Sequence, residues 1–409
     1  MAVMRLGLIG KPLGHSWSKQ IHESFLDVEY QMWELDENEL DDFFEKRDFD
    51  GINVTIPYKQ RVIAYLDELD DKANKIGAVN CIVNHDGKLK GYNTDYLGFM
   101  MILKRNNVDC NKACVLGNGG ASKAVCEALD ELDIDYDLVS RRGYMSYEEL
   151  YERESEFDLL INTTPVGMYP EIDEVIVDID RFSNLKWVVD IVANPLCTRL
   201  QYEADKRNIN SLGGIEMLVN QAFIADELYT DSKLDESMID VCLSRLIRQR
   251  QNIVLIGMPS SGKSSVGRSL SDRSGRVLYD SDEMIVKDID MPISSYFELY
   301  GEDGFRKIEK EVYRKLSLET SCIISCGGGA ILDEDNMRRL KGNGLIVYLR
   351  RDLDKLESST ERPLSSNRKD LESLFESRKG LYEKYADVCI DNNDDIDDVV
   401  DKIMGGLII

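Results

Sequence analysis

Gly257-Met-Pro-Ser-Ser-Gly-Lys-Ser-Ser265 follows the apolar run Ile253-Val-Leu-Ile256 and leads into Val266-Gly-Arg-Ser-Leu-Ser271. The stretch fits G-x-x-x-x-G-K-[ST], and a buried strand before it with a helix after it is the setting this phosphate-cradling loop requires. Backbone N–H groups close around phosphate oxygens, and the helix N-terminus adds positive potential. Lys263 is placed to reach the outer phosphates of a nucleoside triphosphate and Ser264 to hold Mg²⁺. A helix is expected from about Val266. Such a loop sits on the first strand of its domain, so a domain begins near residue 250, and the residues before it form a unit of their own.

The whole chain has 409 residues, 43% hydrophobic and 31% charged, the balance of a globular protein of two or three domains. No run of 18 apolar residues occurs, so no transmembrane helix is expected. Nine cysteines without a C-x-x-C pair, and three histidines without ligand spacing, imply reduced thiols in a cytoplasmic setting and no histidine metal centre. A net charge of −26 argues against a nucleic-acid partner. Anionic small molecules must then be met by locally placed Lys or Arg.

Strand-like and helical segments alternate throughout, which makes the class α/β. The opening strand runs into Gly10-Lys-Pro-Leu-Gly-His-Ser-Trp-Ser18. The hydroxyls of Ser16 and Ser18 can bind a carboxylate or a polyol there, or Ser16 can simply cap a helix. Gly51-Ile-Asn-Val-Thr-Ile-Pro-Tyr-Lys59 alternates apolar and polar residues as a strand and puts Lys59 just past the strand end. Active-site groups of α/β sheets gather at that position, although a lone lysine there is ordinarily a solvated one. Asn80, Thr94 and Asp95 lie at turns. Ala113–Leu116 and Gly117-Asn-Gly-Gly-Ala121 form a second glycine loop between a strand and a helix, of the dinucleotide-binding kind. The next strand ends in Ser140-Arg-Arg142. Two arginines, where an NAD site keeps an acid, favour the 2′-phosphate of NADP over solvated side chains.

Seven segments in order (GxPxxHSxS, GINVTIPYK, AVN, GYNTD, GNGGAS, INTTPVGM and GGIEMLVNQ, over about residues 1–249) resemble the shikimate dehydrogenase family. The resemblance implies a substrate domain of residues 1–98 completed by 215–249, enclosing a Rossmann NADP domain of residues 99–214. It implies that Ser16 and Ser18 bind the substrate carboxylate, and that Thr55, Asn80, Thr94 and Gln221 form the rest of the substrate-binding set. Lys59 and Asp95 match the catalytic pair. Gly117, Asn118, Gly119, Gly120 and Ala121 match the pyrophosphate loop, with Ser140, Arg141 and Arg142 at the 2′-phosphate and Gly214 beside the nicotinamide. Lys19 and Ala193 depart from the usual proline and tyrosine, and Ala193 keeps quinate open beside shikimate as a substrate.

In the remaining chain, Val277-Leu-Tyr-Asp-Ser-Asp282 ends a strand in two acids. Asp280 can support Mg²⁺ through water and Asp282 can meet a substrate hydroxyl, although surface carboxylates are the commoner reading. Arg306 and Glu309, at i,i+3 on one helix, make Arg306 a carboxylate clamp held by Glu309. Gly327-Gly-Gly329 permits close backbone approach. The polar segment 358–369 suits a lid carrying Arg362. GxxxxGKSS, DSD, GFRxxE, GGG, RPL and RxxLY resemble shikimate kinase over residues 250–409. The resemblance implies a P-loop kinase fold with a parallel sheet, in which Ser260, Ser261, Gly262, Lys263, Ser264 and Ser265 bind ATP. It implies Asp282, Arg306, Gly328 and Arg378 at shikimate, and Arg362 as the lid arginine.

Together the two resemblances imply a bifunctional enzyme that takes 3-dehydroshikimate, NADPH, ATP and Mg²⁺. The alternatives are a quinate/shikimate dehydrogenase joined to the same kinase, and a ligand sensor with one inactive half. Lys59, Asp95, Lys263 and Asp282 are all present, which speaks against the sensor.

Overall fold

The computed structural model describes residues 4–14, 16–356 and 368–405. They divide into two compact units. The first comprises residues 1–168, 174–194 and 200–246, and the second residues 247–409 with the short segments 169–173 and 195–199.

The first unit holds two sheets. One is six-stranded, built from β1 (Leu6–Gly10), β2 (Gln31–Glu34), β3 (Gly51–Val54), β4 (Glu68–Leu69), β5 (Cys81–His85) and β6 (Lys88–Tyr92) in the order β2-β1-β3-β5-β6-β4. Its β2-β1-β3 half is parallel, while β5 runs antiparallel to both β3 and β6. The other is fully parallel: β7 (Lys112–Leu116), β8 (Asp135–Val139), β9 (Leu159–Asn162), β10 (Trp187–Asp190) and β11 (Asn210–Gly213), in the order β11-β10-β9-β7-β8. Strands covered on both faces by helices must be apolar at every position rather than at alternate ones. β9 is buried at all four of its residues, and β7 at all but its first. The strand order reverses between β7 and β9, which is where a doubly wound sheet opens a crevice for a ligand.

Two helices, Thr94–Arg105 and Gly214–Thr230, pack side by side. A Cβ at Gly98 would lie 2.9 Å from both the Cβ and the backbone N of Gln221. Only glycine admits that approach, and it brings the start of the first helix next to Gln221.

Asp158, at the entrance to β9, is 6% exposed and accepts hydrogen bonds from the backbone N–H groups of Asn111 and Lys112, from the Asn111 side chain and from Lys186 Nζ. Burial alone would push its carboxyl up, but these donors outweigh burial and hold it below the usual carboxylate range. A carboxyl lowered on folding contributes stability that is fully present above its unfolded value and is lost as pH falls through the folded one. Asp158→Ala is therefore expected to cost about 2 kcal/mol at pH 7, because it leaves buried donors unmatched. Urea denaturation at a series of pH values should show the gap from wild type narrowing below about pH 4.

The second unit holds a five-stranded parallel sheet of β12 (Asn252–Ile256), β13 (Leu278–Asp280), β14 (Ile323–Ser325), β15 (Gly344–Arg350) and β16 (Val388–Asp391), ordered β13-β14-β12-β15-β16. β12 is central and completely buried, so the loop after it emerges mid-sheet. The helix that follows begins at Lys263, three residues before the expected start. Gly262 adopts φ +90° as its N-cap, so the loop turns straight into the helix and needs no apolar residue in the first turn. Among the described residues no helix is long and apolar enough to cross a membrane.

Candidate functional site

In the first unit, Lys59 and Asp95 meet at 2.6 Å, their side chains 32% and 19% exposed. Asp95 lies in the first turn of Thr94–Arg105, where Asn93 caps the helix by accepting from the Asp95 N–H. A carboxylate is favoured at that end of the helix dipole. Asn80 ties the group together. Its amide donates to Asp95 Oδ1 at 2.9 Å and to Thr94 Oγ1 at 3.0 Å, and it lies 3.3 Å from Gln221 Oε1. Its carbonyl oxygen accepts from the Thr94 N–H at 2.6 Å. Five of the expected residues (Lys59, Asn80, Thr94, Asp95 and Gln221) thus form one hydrogen-bonded cluster. Thr55 follows β3 directly, its N–H bonded to the Ile9 carbonyl, at the strand end from which the chain reaches Lys59. Ser16 Oγ donates to Ser18 Oγ at 3.1 Å at the head of the helix Ser18–Phe25.

Gly117 leaves β7 with its N–H bonded to the Val139 carbonyl, so the glycine loop and the end of β8 lie side by side. The helix after the loop starts at Gly120 with Gly119 as N-cap. Asn118, Gly119 and Gly120 border this opening, and a Cβ built on either glycine would meet nothing within 4 Å. That open space before a helix N-terminus fits a pyrophosphate, with Ala121 in the helix's first turn. Past β8, Ser140 is buried and bonded to the Arg142 carbonyl, while Arg141 and Arg142 are exposed to solvent. Gly214 packs its Cα against the Ile191 carbonyl, where a Cβ would come within 2.1 Å.

In the second unit a cleft of about 500 Å³ is lined by Ser260, Gly262, Lys263, Ser264 and Ser265 of the phosphate loop, together with Asp280, Asp282, Arg306, Gly328 and Arg378. Ser261, in the same loop, is buried. Lys263 Nζ donates to the Gly257 and Met258 carbonyls at 2.9 Å each. Ser264 Oγ donates to Asp280 Oδ2 at 2.7 Å and lies 3.4 Å from Ser325 Oγ. These hard oxygen donors suit Mg²⁺. Arg306 is held at 2.7 Å by Glu309, as the i,i+3 spacing predicts, and also by Glu302 at 2.9 Å. Burial pushes the Glu309 carboxyl up against the pull of Arg306. Burial would lower Arg306, but the facing carboxylates outweigh it, so Arg306 stays a cation. A Cβ at Gly329 would fall 2.3 Å from Arg306 Nη1, which is why this backbone can run so close to the guanidinium. Arg378 donates to the Gly328 carbonyl at 2.8 Å. Arg362 lies outside the described residues.

Sequence reasoning missed several supports of this cleft. Tyr382 donates to the Gly328 carbonyl. The Gly327 N–H donates to Ser281 Oγ and Tyr313 OH. Asn392 donates to the Ser261 carbonyl and so braces the phosphate loop. Asn392 follows β16 in an Asn-Asn pair, and polar residues at a parallel strand's end were the available signal.

The shikimate dehydrogenase substrate-binding-domain model matches residues 8–82, and the shikimate kinase model matches residues 259–407. A shikimate dehydrogenase (NADP(+)) of Clostridium beijerinckii is 43% identical over 255 residues, which cover 57% of this chain and 94% of the relative. The crystal structure of a chorismate mutase/shikimate 5-dehydrogenase fusion protein from Clostridium acetobutylicum is 33% identical, with a TM-score of 0.56 over 60% of this chain and 97% of that one. Shikimate 5-dehydrogenase from Thermus thermophilus, solved with NADP(H) and shikimate, is 30% identical, with a TM-score of 0.55 over 59% of this chain and 99% of that one. Between 57% and 60% of this chain covers 94% to 99% of these relatives, and the kinase model falls within the second unit. The chain therefore belongs to the shikimate dehydrogenase family and carries a shikimate kinase domain at its C-terminal end.

Proposed function

We propose that the first unit reduces 3-dehydroshikimate to shikimate with NADPH, and that the second phosphorylates shikimate with ATP and Mg²⁺ to shikimate 3-phosphate. In this reading residues 1–98 with 215–249 bind the first substrate, 99–214 bind NADP, and 250–409 carry the kinase. The observation that carries it is that one chain holds two sites whose chemistries share a compound. The reactions belong to aromatic amino acid biosynthesis in the cytoplasm, in keeping with nine free cysteines.

Bound NADPH would supply the hydride, leaving the protein to orient the substrate and move one proton. Ser16 and Ser18 anchor the carboxylate, while Thr55, Asn80 and Gln221 hold the ring hydroxyls. Lys59 Nζ gives the proton to the carbonyl oxygen as it becomes a hydroxyl, and Asp95 holds that ammonium in place. Arg141 and Arg142 meet the 2′-phosphate. In the kinase, Arg306 and Arg378 grip the shikimate carboxylate, and Asp282 orients the attacking hydroxyl. Lys263 neutralises charge on the outer phosphates, and Ser264 with Asp280 would hold Mg²⁺, which would supply further positive charge against the phosphates. The expected Arg362 contribution completes the charge set.

The test is one mixture of protein, 3-dehydroshikimate, NADPH, ATP and Mg²⁺, followed by NADPH absorbance and ADP together. NADPH should fall first and ADP should follow. NADPH loss without ADP would reject the kinase half, and ADP formed only from added shikimate would reject the dehydrogenase half.

A further inference from the structure

His22 and Asp226 meet at 2.6 Å with both side chains fully buried. The pair takes no part in the chemistry above. Burial pushes the Asp226 carboxyl up, with His22 pulling it back. Among the described residues His22 Nε2 and Asp226 Oδ2 have no hydrogen-bond partner. Such a pair is an expensive way to join two helices, because apolar residues of similar volume would serve at least as well for stability.

Its location suggests what it does. His22 lies one helical turn after Ser18 on Ser18–Phe25, and Asp226 lies five residues after Gln221 on Gly214–Thr230. The two helices also touch through Phe25 and Phe223, edge to face at 5.4 Å. The imidazole stacks on Tyr30 at 4.4 Å and 3°. Tyr30 OH donates to Asn53 Oδ1 at 2.7 Å, Tyr229 OH donates to the same atom at 3.0 Å, and Asn53 Nδ2 reaches the Asn80 carbonyl at 3.4 Å. The pair is thus joined by direct contacts to the backbone of Asn80, whose side chain holds Asp95.

We propose that the His22–Asp226 pair is a positioning device: it sets the helix headed by Ser18 against the helix carrying Gln221, and so fixes the gap between the carboxylate anchor and the hydroxyl anchor of the dehydrogenase substrate. This rests on the reading of Ser16, Ser18 and Gln221 as those anchors. A polar pair has one geometry at hydrogen-bond distance, whereas apolar side chains can slide.

The experiment uses the full chain, shikimate and NADP⁺, with Asp226→Ala, which removes the hydrogen bond, and the double variant His22→Phe/Asp226→Leu. In both, the KM for shikimate should rise about tenfold while kcat and the KM for NADP⁺ stay within about twofold, the pattern of a misplaced anchor. A purely structural pair predicts otherwise: the apolar double variant would keep its thermal midpoint and a normal shikimate KM. An unchanged shikimate KM in either folded variant overturns the proposal, and if Asp226→Ala does not fold the double variant decides alone. Ser18→Ala and Gln221→Ala run alongside. If those leave the shikimate KM unchanged, it is the anchor reading that fails.

Discussion

Lys263→Ala is expected to lower phosphoryl transfer by about 10²–10³-fold while NADPH oxidation stays within about twofold. Lys263 is the first residue of the helix Lys263–Ser274, is 8% exposed, and is held by two carbonyls of its own loop. Its ammonium is therefore already ordered inside the proposed phosphate loop, with no long side chain to fix when the reaction begins. Removing one such preorganised donor typically costs about 10²–10³-fold, and phosphoryl transfer leans on charge neutralisation more than on any base. Lys263→Arg should fail nearly as badly, since a planar guanidinium cannot take the place of a compact ammonium between two carbonyls. ADP release with saturating shikimate measures the loss, and NADPH oxidation by the same preparation shows that the first unit is intact. Retention of a tenth of the kinase rate by Lys263→Ala would count against this loop as the phosphate site.

Local pattern was enough to read β1, β3, β7, β8, β12, β13 and both glycine loops, whereas β2, β4, β11 and β16 went unread. β7, β9 and β12 are short apolar runs ended by glycine or polar residues, because a strand covered on both faces leaves no room for alternation. The Arg306–Glu309 ion pair was equally visible, since i,i+3 spacing is geometry within one helix. Contacts that depend on strand order were not. Asn392 reaches Ser261 across 131 residues, because the sheet sets β15 beside β12 and β16 beside β15. His22 and Asp226 are 204 residues apart, and each alone reads as an ordinary polar residue on a helix. The start of the phosphate-loop helix was misplaced because apolar spacing marks where a helix packs, and Gly262 begins this one earlier, where nothing apolar is needed. Gly98 carried no signal by itself. Its importance lies in how near Gln221 comes, which is a property of two helices and not of either.

Lys59→Ala is expected to reduce dehydrogenase kcat by about 10³-fold, within the roughly 10²–10⁴ that a positioned general acid contributes, while the kinase rate stays within about twofold. Lys59 and Asp95 are close enough for a charge-assisted hydrogen bond and remain partly open to the site. Asp95 is fixed from two further sides, by Asn80 and by the helix cap at Asn93. Lys59→Ala removes the ammonium but leaves this scaffold standing, so the fold of the first unit should survive. Asp95→Asn is the informative companion. It keeps the size of the side chain and loses the charge that orients the ammonium, so kcat should fall less than with Lys59→Ala. If binding were the main role of Lys59, the loss would appear in the KM for 3-dehydroshikimate with kcat preserved, because uniform binding changes KM alone. A loss in kcat that Asp95→Asn shares in part would assign the proton to Lys59 and its orientation to Asp95. An equal fall of reductase and kinase in either variant would contradict two independently working sites.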